Sequence, residues 1–240
     1  MTRIRAVFFD VDFTLIYPGP TFNGEGYQAF CARYGFPVDA SAFAAAVVSA
    51  SSLLDALDTR YDDEVFVAYT RHIIEQMGGR GDQVDACARE IYREWAGCQH
   101  FEMYEDAPRV LRELAARDLR IGLISNSHRC LTSFQSHFEL QGLIAGAVSS
   151  SEHGYMKPHP SIFEAALKLV DVPAAESVMV GDAAGHDIDG ALGAGMHAVL
   201  LHRGLVPHPR EQALARAGVP TVRSLSELPE LLGALHGIDD

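Results

Sequence analysis

The chain has 240 residues, 48% of them apolar and 21% charged, which suits a globular protein with one large core or a core plus a smaller attachment. Its formal charge of −13 argues against nucleic acid or an anionic membrane as a partner, since both call for basic surfaces. No stretch approaches the ~18 apolar residues of a membrane helix, and the apolar run before Asp10 is too short for a signal peptide.

In chain order, "IRAVFF" (4–9) opens as a short apolar run with β-branched and aromatic content, the pattern of a strand buried on both faces. The same pattern returns in "LRIGLIS" (119–125), "AGAVSS" (145–150), "SVMVG" (177–181) and "HAVLL" (197–201). Helical spacing lies between these runs, over 107–118, 160–170 and 187–195. Strand alternating with helix predicts an α/β fold, a Rossmann-like doubly wound parallel sheet. Between 17 and 103 the alternation stops. That stretch shows no convincing strand and four helical patterns, roughly 24–34, 39–57, 62–77 and 82–97, punctuated by Gly-rich breakers. A core of 1–16 and 104–240 with a small α-helical domain inserted at 17–103 is therefore expected.

Polar residues gather where the predicted strands stop. The first strand ends in Asp10-Val11-Asp12-Phe13-Thr14, the second in Ser125-Asn126, and the fourth in "GDAAGHD", which supplies Asp182 and Asp187. Lys157, one of only two lysines, precedes a helix opened by prolines in "MKPHPSIF". In an open sheet such ends converge on one crevice. Several carboxylates gathered there need a counter-charge, and a hard divalent cation such as Mg²⁺ supplies it through oxygen ligands. Cation and lysine together would attract a phosphate group. One carboxylate can attack phosphorus to give an aspartyl-phosphate, and the other can serve as general acid and then base.

These residues resemble the four motifs of the haloacid dehalogenase superfamily, on the branch with a helical cap between the first and second motifs. Asp-x-Asp-x-Thr matches Asp10, Asp12 and Thr14; the strand-end hydroxyl matches Ser125, followed by Asn126; the lysine is Lys157; Gly-Asp and its following acid match Asp182 and Asp187. The resemblance runs from about 4 to 230 with motif order kept. It implies that Asp10 is the nucleophile and a Mg²⁺ ligand, and that Asp12 is the general acid/base with its backbone carbonyl on the metal. Thr14 would steady the loop. Ser125, Lys157 and backbone amides near Asn126 would hold the phosphoryl oxygens, while Asp182 and Asp187 would serve the metal. The implied activity is hydrolysis of a small-molecule phosphate ester in the cytoplasm. A sugar phosphomutase shares all four motifs and stays open. Dehalogenation is disfavoured because dehalogenases of the superfamily lack the second aspartate, and a non-catalytic binding module because both acids are intact.

Several residues have plainer expectations. His128 and Arg129 read as surface residues at a helix start, and His186 as a bystander. Asp187 could instead cap a helix. "GALGAG" (190–195) reads as a close-packing stretch, not a nucleotide loop. Cys31, Cys87, Cys98 and Cys130 lack paired or zinc-type spacing and are expected to be buried free thiols. Phe13 stands where the family pattern most often has glycine. Its side chain is expected to turn away, leaving catalysis intact while reducing room for bulky substrates.

Overall fold

The computed structural model describes residues 3–55, 59–206 and 208–236. Strand β1 (Ala6–Phe9) has no exposed residue on either face. Full burial of Phe8 and Phe9 contributes about 1.5–3 kcal/mol each. Two three-residue strands follow, β2 (Ile16–Pro18) and β3 (Phe101–Met103), which pair with each other. They correct the expectation that 17–103 holds no strand. At three residues apiece, one containing Pro18, they are too short to show alternation.

Strands β4 (Arg120–Ser125), β5 (Ile144–Ser149), β6 (Ser177–Gly181), β7 (His197–Leu201) and β8 (Thr221–Val222) complete the main sheet. Its order is β5-β4-β1-β6-β7-β8, and all described pairings are parallel. The chain thus winds outward from β1 to β5, crosses back, and continues from β6 on the other side. The reversal falls between β1 and β6, the place where open α/β sheets form their ligand crevice. Register puts Gly122 of β4 beside Phe8, and a Cβ there would sit 2.3 Å from the Phe8 ring.

Two compact units emerge: Met1–Tyr17 with Met103–Asp240, and Pro18–Glu102. The second is helical, with α1 (Gly24–Arg33), α2 (Phe43–Asp55), α3 (Asp63–Gln76) and α4 (Val84–Glu94). Helix α3 packs between α2 and α4, around buried Cys31, Val67, Ile73, Ile74, Cys87 and Ile91. Asn23 and Asp62 cap α1 and α3 by accepting backbone N–H bonds. Positions 56 and 57 of the helix expected over 39–57 lie outside the described residues.

In the sheet unit, α5 (Ala107–Ala116), α6 (Leu131–His137), α7 (Ser150–His153), α8 (Pro160–Val170) and α9 (Gly190–Gly193) precede or separate the strands. Two more, α10 (Glu211–Arg216) and α11 (Leu228–His236), follow β7. The 187–195 pattern divides into a π-helical turn, Ala184–Asp189, and the single turn α9. A Cβ on Gly190 would meet the Phe163 ring at 2.7 Å, which accords with close packing there. Among the described residues no helix is long and apolar enough to cross a membrane. Cys31, Cys87 and Cys98 are buried free thiols, whereas Cys130 is exposed, a correction to the expectation for all four.

Candidate active site

The chain leaves β1 at Asp10, whose amide still donates to the Val180 carbonyl at 2.9 Å. Asp182 leaves the neighbouring β6 one residue beyond Gly181. The π-helical turn brings Asp187 back to the same strand end, where its Oδ2 accepts from the Ala183 amide at 3.0 Å. Gly181 makes the approach possible: a Cβ there would lie 2.2 Å from that oxygen. Asp10, Asp182 and Asp187 consequently offer oxygens that all lie within 4.8 Å of one another.

Lys157 is buried among them. Its Nζ lies 2.6 Å from Asp10 Oδ1 and 2.6 Å from Asp187 Oδ1, and donates to the Ile124 carbonyl at 2.8 Å. The backbone that carries it is held by Asn126, whose Oδ1 accepts from the Lys157 amide at 2.7 Å and whose Nδ2 donates to its carbonyl at 2.9 Å. The Asn126 side chain therefore fixes the backbone that carries the lysine. Ser125, fully buried at the end of β4, shares a hydrogen bond of 2.8 Å with Ser127 Oγ. Thr14 is also buried, and its hydroxyl donates to Asp182 Oδ1 at 3.4 Å.

Asp12 stands outside the carboxylate group and pairs with Arg129, whose Nη1 is 2.9 Å from each of its oxygens. Arg129 is only 1% exposed, so the surface role expected for it is corrected. A guanidinium loses most of its hydration in such a place and is stable only against a carboxylate. Sequence shows the arginine but not its partner, 117 residues away.

These contacts set the electrostatics. Burial pushes the Asp10 carboxyl up to about 6, against the pull of Lys157 and with a further push from Asp187. Burial raises Asp12 as well, Arg129 opposes that rise, and the charge of Asp10 adds to it. Asp182 is raised well above the usual carboxylate range by burial and then by the charges of Asp10 and Asp187. For Lys157 burial works against the charge, but Asp10 and Asp187 outweigh it and hold the ammonium above the usual lysine range.

Residues 4–195 match the sequence profile of the haloacid dehalogenase-like hydrolases. The chain belongs to that family. It is 30% identical to human N-acylneuraminate-9-phosphatase over 98% of this chain and 96% of that protein. A 2-haloacid dehalogenase of Pseudomonas syringae pv. Tomato, 25% identical, superposes with a TM-score of 0.64 over 96% of this chain and 99% of the other. The magnesium-bound HAD-hydrolase YfnB of Bacillus subtilis shares the fold at a TM-score of 0.72 and 18% identity, over 96% and 99% of the two chains.

Against the family pattern, Phe13 occupies a left-handed backbone position, φ 64°, with its amide donating to the Ile16 carbonyl at 2.7 Å. That conformation accounts for the glycine common there, since a Cβ costs about 1–2 kcal/mol in this region. The side chain is 46% exposed and forms no part of the buried core. Phe13→Gly is therefore expected to raise stability by up to about 1 kcal/mol, after the added freedom of glycine in the unfolded chain is subtracted. Thermal denaturation checks this.

A further ion pair lies beside the Thr14 loop, between residues that no sequence motif links. Arg203 Nη2 donates to the Thr14 carbonyl at 3.3 Å, and both its Nη atoms reach Asp106 at 3.0 Å. The guanidinium lies 3.8 Å from the Tyr104 ring centroid. Burial opposes the Asp106 charge, but Arg203 and Ser224 outweigh it and hold the carboxyl below its usual range. The pair steadies the loop that carries Asp12 and Thr14, a role no local motif announces.

Proposed function

We propose that this hydrolase is a Mg²⁺-dependent phosphatase that cleaves a small phosphate monoester through an aspartyl-phosphate on Asp10. One observation carries the reading: the two acids of the first motif stand in different surroundings. Asp10 faces Lys157 and the two further carboxylates, whereas Asp12 is drawn aside onto Arg129. That separation supports a division between a nucleophile and a proton carrier. Asp12, which the dehalogenating branch lacks, favours phosphorus chemistry over dehalogenation.

The donor set fits a hard cation. Among the described residues Asp10, Asp12, Asp182 and Asp187, when ionised, are paired with Lys157 and Arg129, which leaves a surplus of two negative charges on these six groups. Mg²⁺ held by Asp10, Asp182 and Asp187 would offset that surplus and polarise the phosphoryl group. In the first step an Asp10 oxygen attacks phosphorus, the ester P–O bond breaks, and the leaving oxygen takes its proton from Asp12. In the second, Asp12 takes a proton from water, whose oxygen attacks phosphorus, breaks the bond to Asp10 and releases phosphate. Ser125 and Lys157 hold the non-bridging oxygens, Asn126 keeps Lys157 in place, and Thr14 steadies the loop. We assign the helical unit as the cap of this branch of the family.

The test is release of phosphate from p-nitrophenyl phosphate and a panel of small phosphate esters, with Mg²⁺ and with EDTA. N-acylneuraminate 9-phosphate heads the panel because of the human relative's name. Turnover that needs Mg²⁺ is expected. Equal release in EDTA, or none from any ester, would contradict the reading.

The raised carboxyls add a pH dependence. The Asp10 carboxyl moves from the ordinary 3.8 to about 6 on folding, so its contribution favours the fold below 3.8 and is lost as pH rises through about 6. A cation binds the ionised form. Its stabilising effect is expected to be small at about pH 5 and full above about pH 7, read as the difference in Tm with and without Mg²⁺.

A further inference from the structure

The structure gives Asp12 an environment that no motif describes. Its carboxylate is met by Arg129 Nη1 at 2.9 Å from both oxygens, so the contact is centred on the carboxylate. The arginine side chain is wholly buried while 16% of the Asp12 side chain is exposed, which puts the cation behind the acid and leaves its outer side open. Each carboxylate oxygen has two lone pairs, and the Nη1 contact takes up one on each.

The arginine is set by the loop after β4. Ser127 Oγ accepts from the Arg129 amide at 3.4 Å and lies 2.8 Å from Ser125 Oγ. Ser127 thus ties the phosphate-holding hydroxyl and the Asp12 contact to one another. The other cation of the site, Lys157, is committed to Asp10, Asp187 and the Ile124 carbonyl. Arginine keeps its proton at any working pH, so it can fix a carboxylate without competing with it as a proton donor. A lysine in that place could give up a proton itself.

We propose that Arg129 is a positioning residue that holds the Asp12 carboxyl group in the orientation from which, when protonated, it passes its proton to the leaving oxygen. This rests on the phosphatase reading above. Proton delivery matters most when the leaving group is a poor one. An alkoxide released from an alkyl phosphate needs the proton as the P–O bond breaks, while p-nitrophenolate departs readily without it. Loss of Arg129 should therefore be felt selectively, on alkyl esters.

The experiment compares kcat/KM, which reports the step that phosphorylates Asp10, for p-nitrophenyl phosphate and glycerol phosphate. The proteins are wild type, Arg129→Met, Arg129→Lys, Asp12→Asn, and Asp12→Asn with Arg129→Met. Arg129→Met is expected to lose about 10²-fold on the alkyl ester and less than about 10-fold on the aryl ester. Arg129→Lys, which keeps the charge but shortens the reach, should fall between it and wild type. Adding Arg129→Met to Asp12→Asn should not widen the gap between the esters further. Circular dichroism checks the fold, and if Arg129→Met does not fold, Arg129→Lys decides. An equal loss on both esters, as for a residue that merely holds the loop, would overturn the proposal, and so would no loss on either. Wild-type protein that hydrolyses neither ester would overturn the phosphatase reading, and this proposal with it.

Discussion

Asp10→Asn is expected to lower kcat for phosphate release by at least about 10³-fold while the protein stays folded. The amide keeps the shape of the carboxyl but is a far poorer nucleophile, and it takes away the charge of one of the three carboxylates grouped for a cation. Stability should survive. The Asp10 carboxyl is pushed up to about 6, so near neutral pH its ionised form is disfavoured by folding and an uncharged side chain relieves the repulsion. Lys157 retains Asp187 and the Ile124 carbonyl as partners. An inactive protein with an undiminished Tm separates a chemical role from a structural one. Substantial phosphate release by Asp10→Asn would remove Asp10 as the nucleophile.

Lys157→Met should have an equally large effect, but on stability and activity together. Nζ is the cation between Asp10 and Asp187, and its side chain is 2% exposed. Its removal leaves buried carboxylates facing each other without their counter-charge. Breaking a buried ion pair costs about 3–5 kcal/mol. For a chain of this size each kcal/mol moves Tm by about 2–4 °C, so a fall on the order of 10 °C is expected. Activity should drop by at least about 10²-fold, because a charge that stabilises the phosphoryl oxygens is also lost. Mg²⁺ should restore part of the Tm by supplying the missing positive charge at the same carboxylates. Unchanged Tm in Lys157→Met would contradict the electrostatic account.

Much of this was legible in the sequence because the core strands are buried on both faces. β1, β4, β6 and β7 have almost no exposed residues, so each reads as a mainly apolar run with its polar residues at the ends. The site acids stand where those runs stop, and strand ends on one side of a parallel sheet converge. What stayed hidden was short or non-local. β8 has two residues, and α7 is a single turn of four. Arg129 is visible beside Ser125, but its pairing with Asp12 spans 117 residues and depends on β1 lying next to β4. Arg203 meets Asp106 across 97 residues and the Thr14 carbonyl across 189. Phe13 was legible as an anomaly, and its cause, a positive φ, was not.

The distinction between a group that attacks phosphorus and one that only holds a metal is covalent, and it can be read directly. Wild-type protein mixed with an excess of p-nitrophenyl phosphate and Mg²⁺, then quenched in acid during turnover, should carry one phosphoryl group in the peptide containing Asp10, labile to hydroxylamine as an acyl phosphate is. The same peptide should be unmodified in Asp10→Asn, and in wild type quenched from EDTA. Turnover of the ester with no phosphoryl group trapped on Asp10, under conditions that slow the second step, would contradict the mechanism.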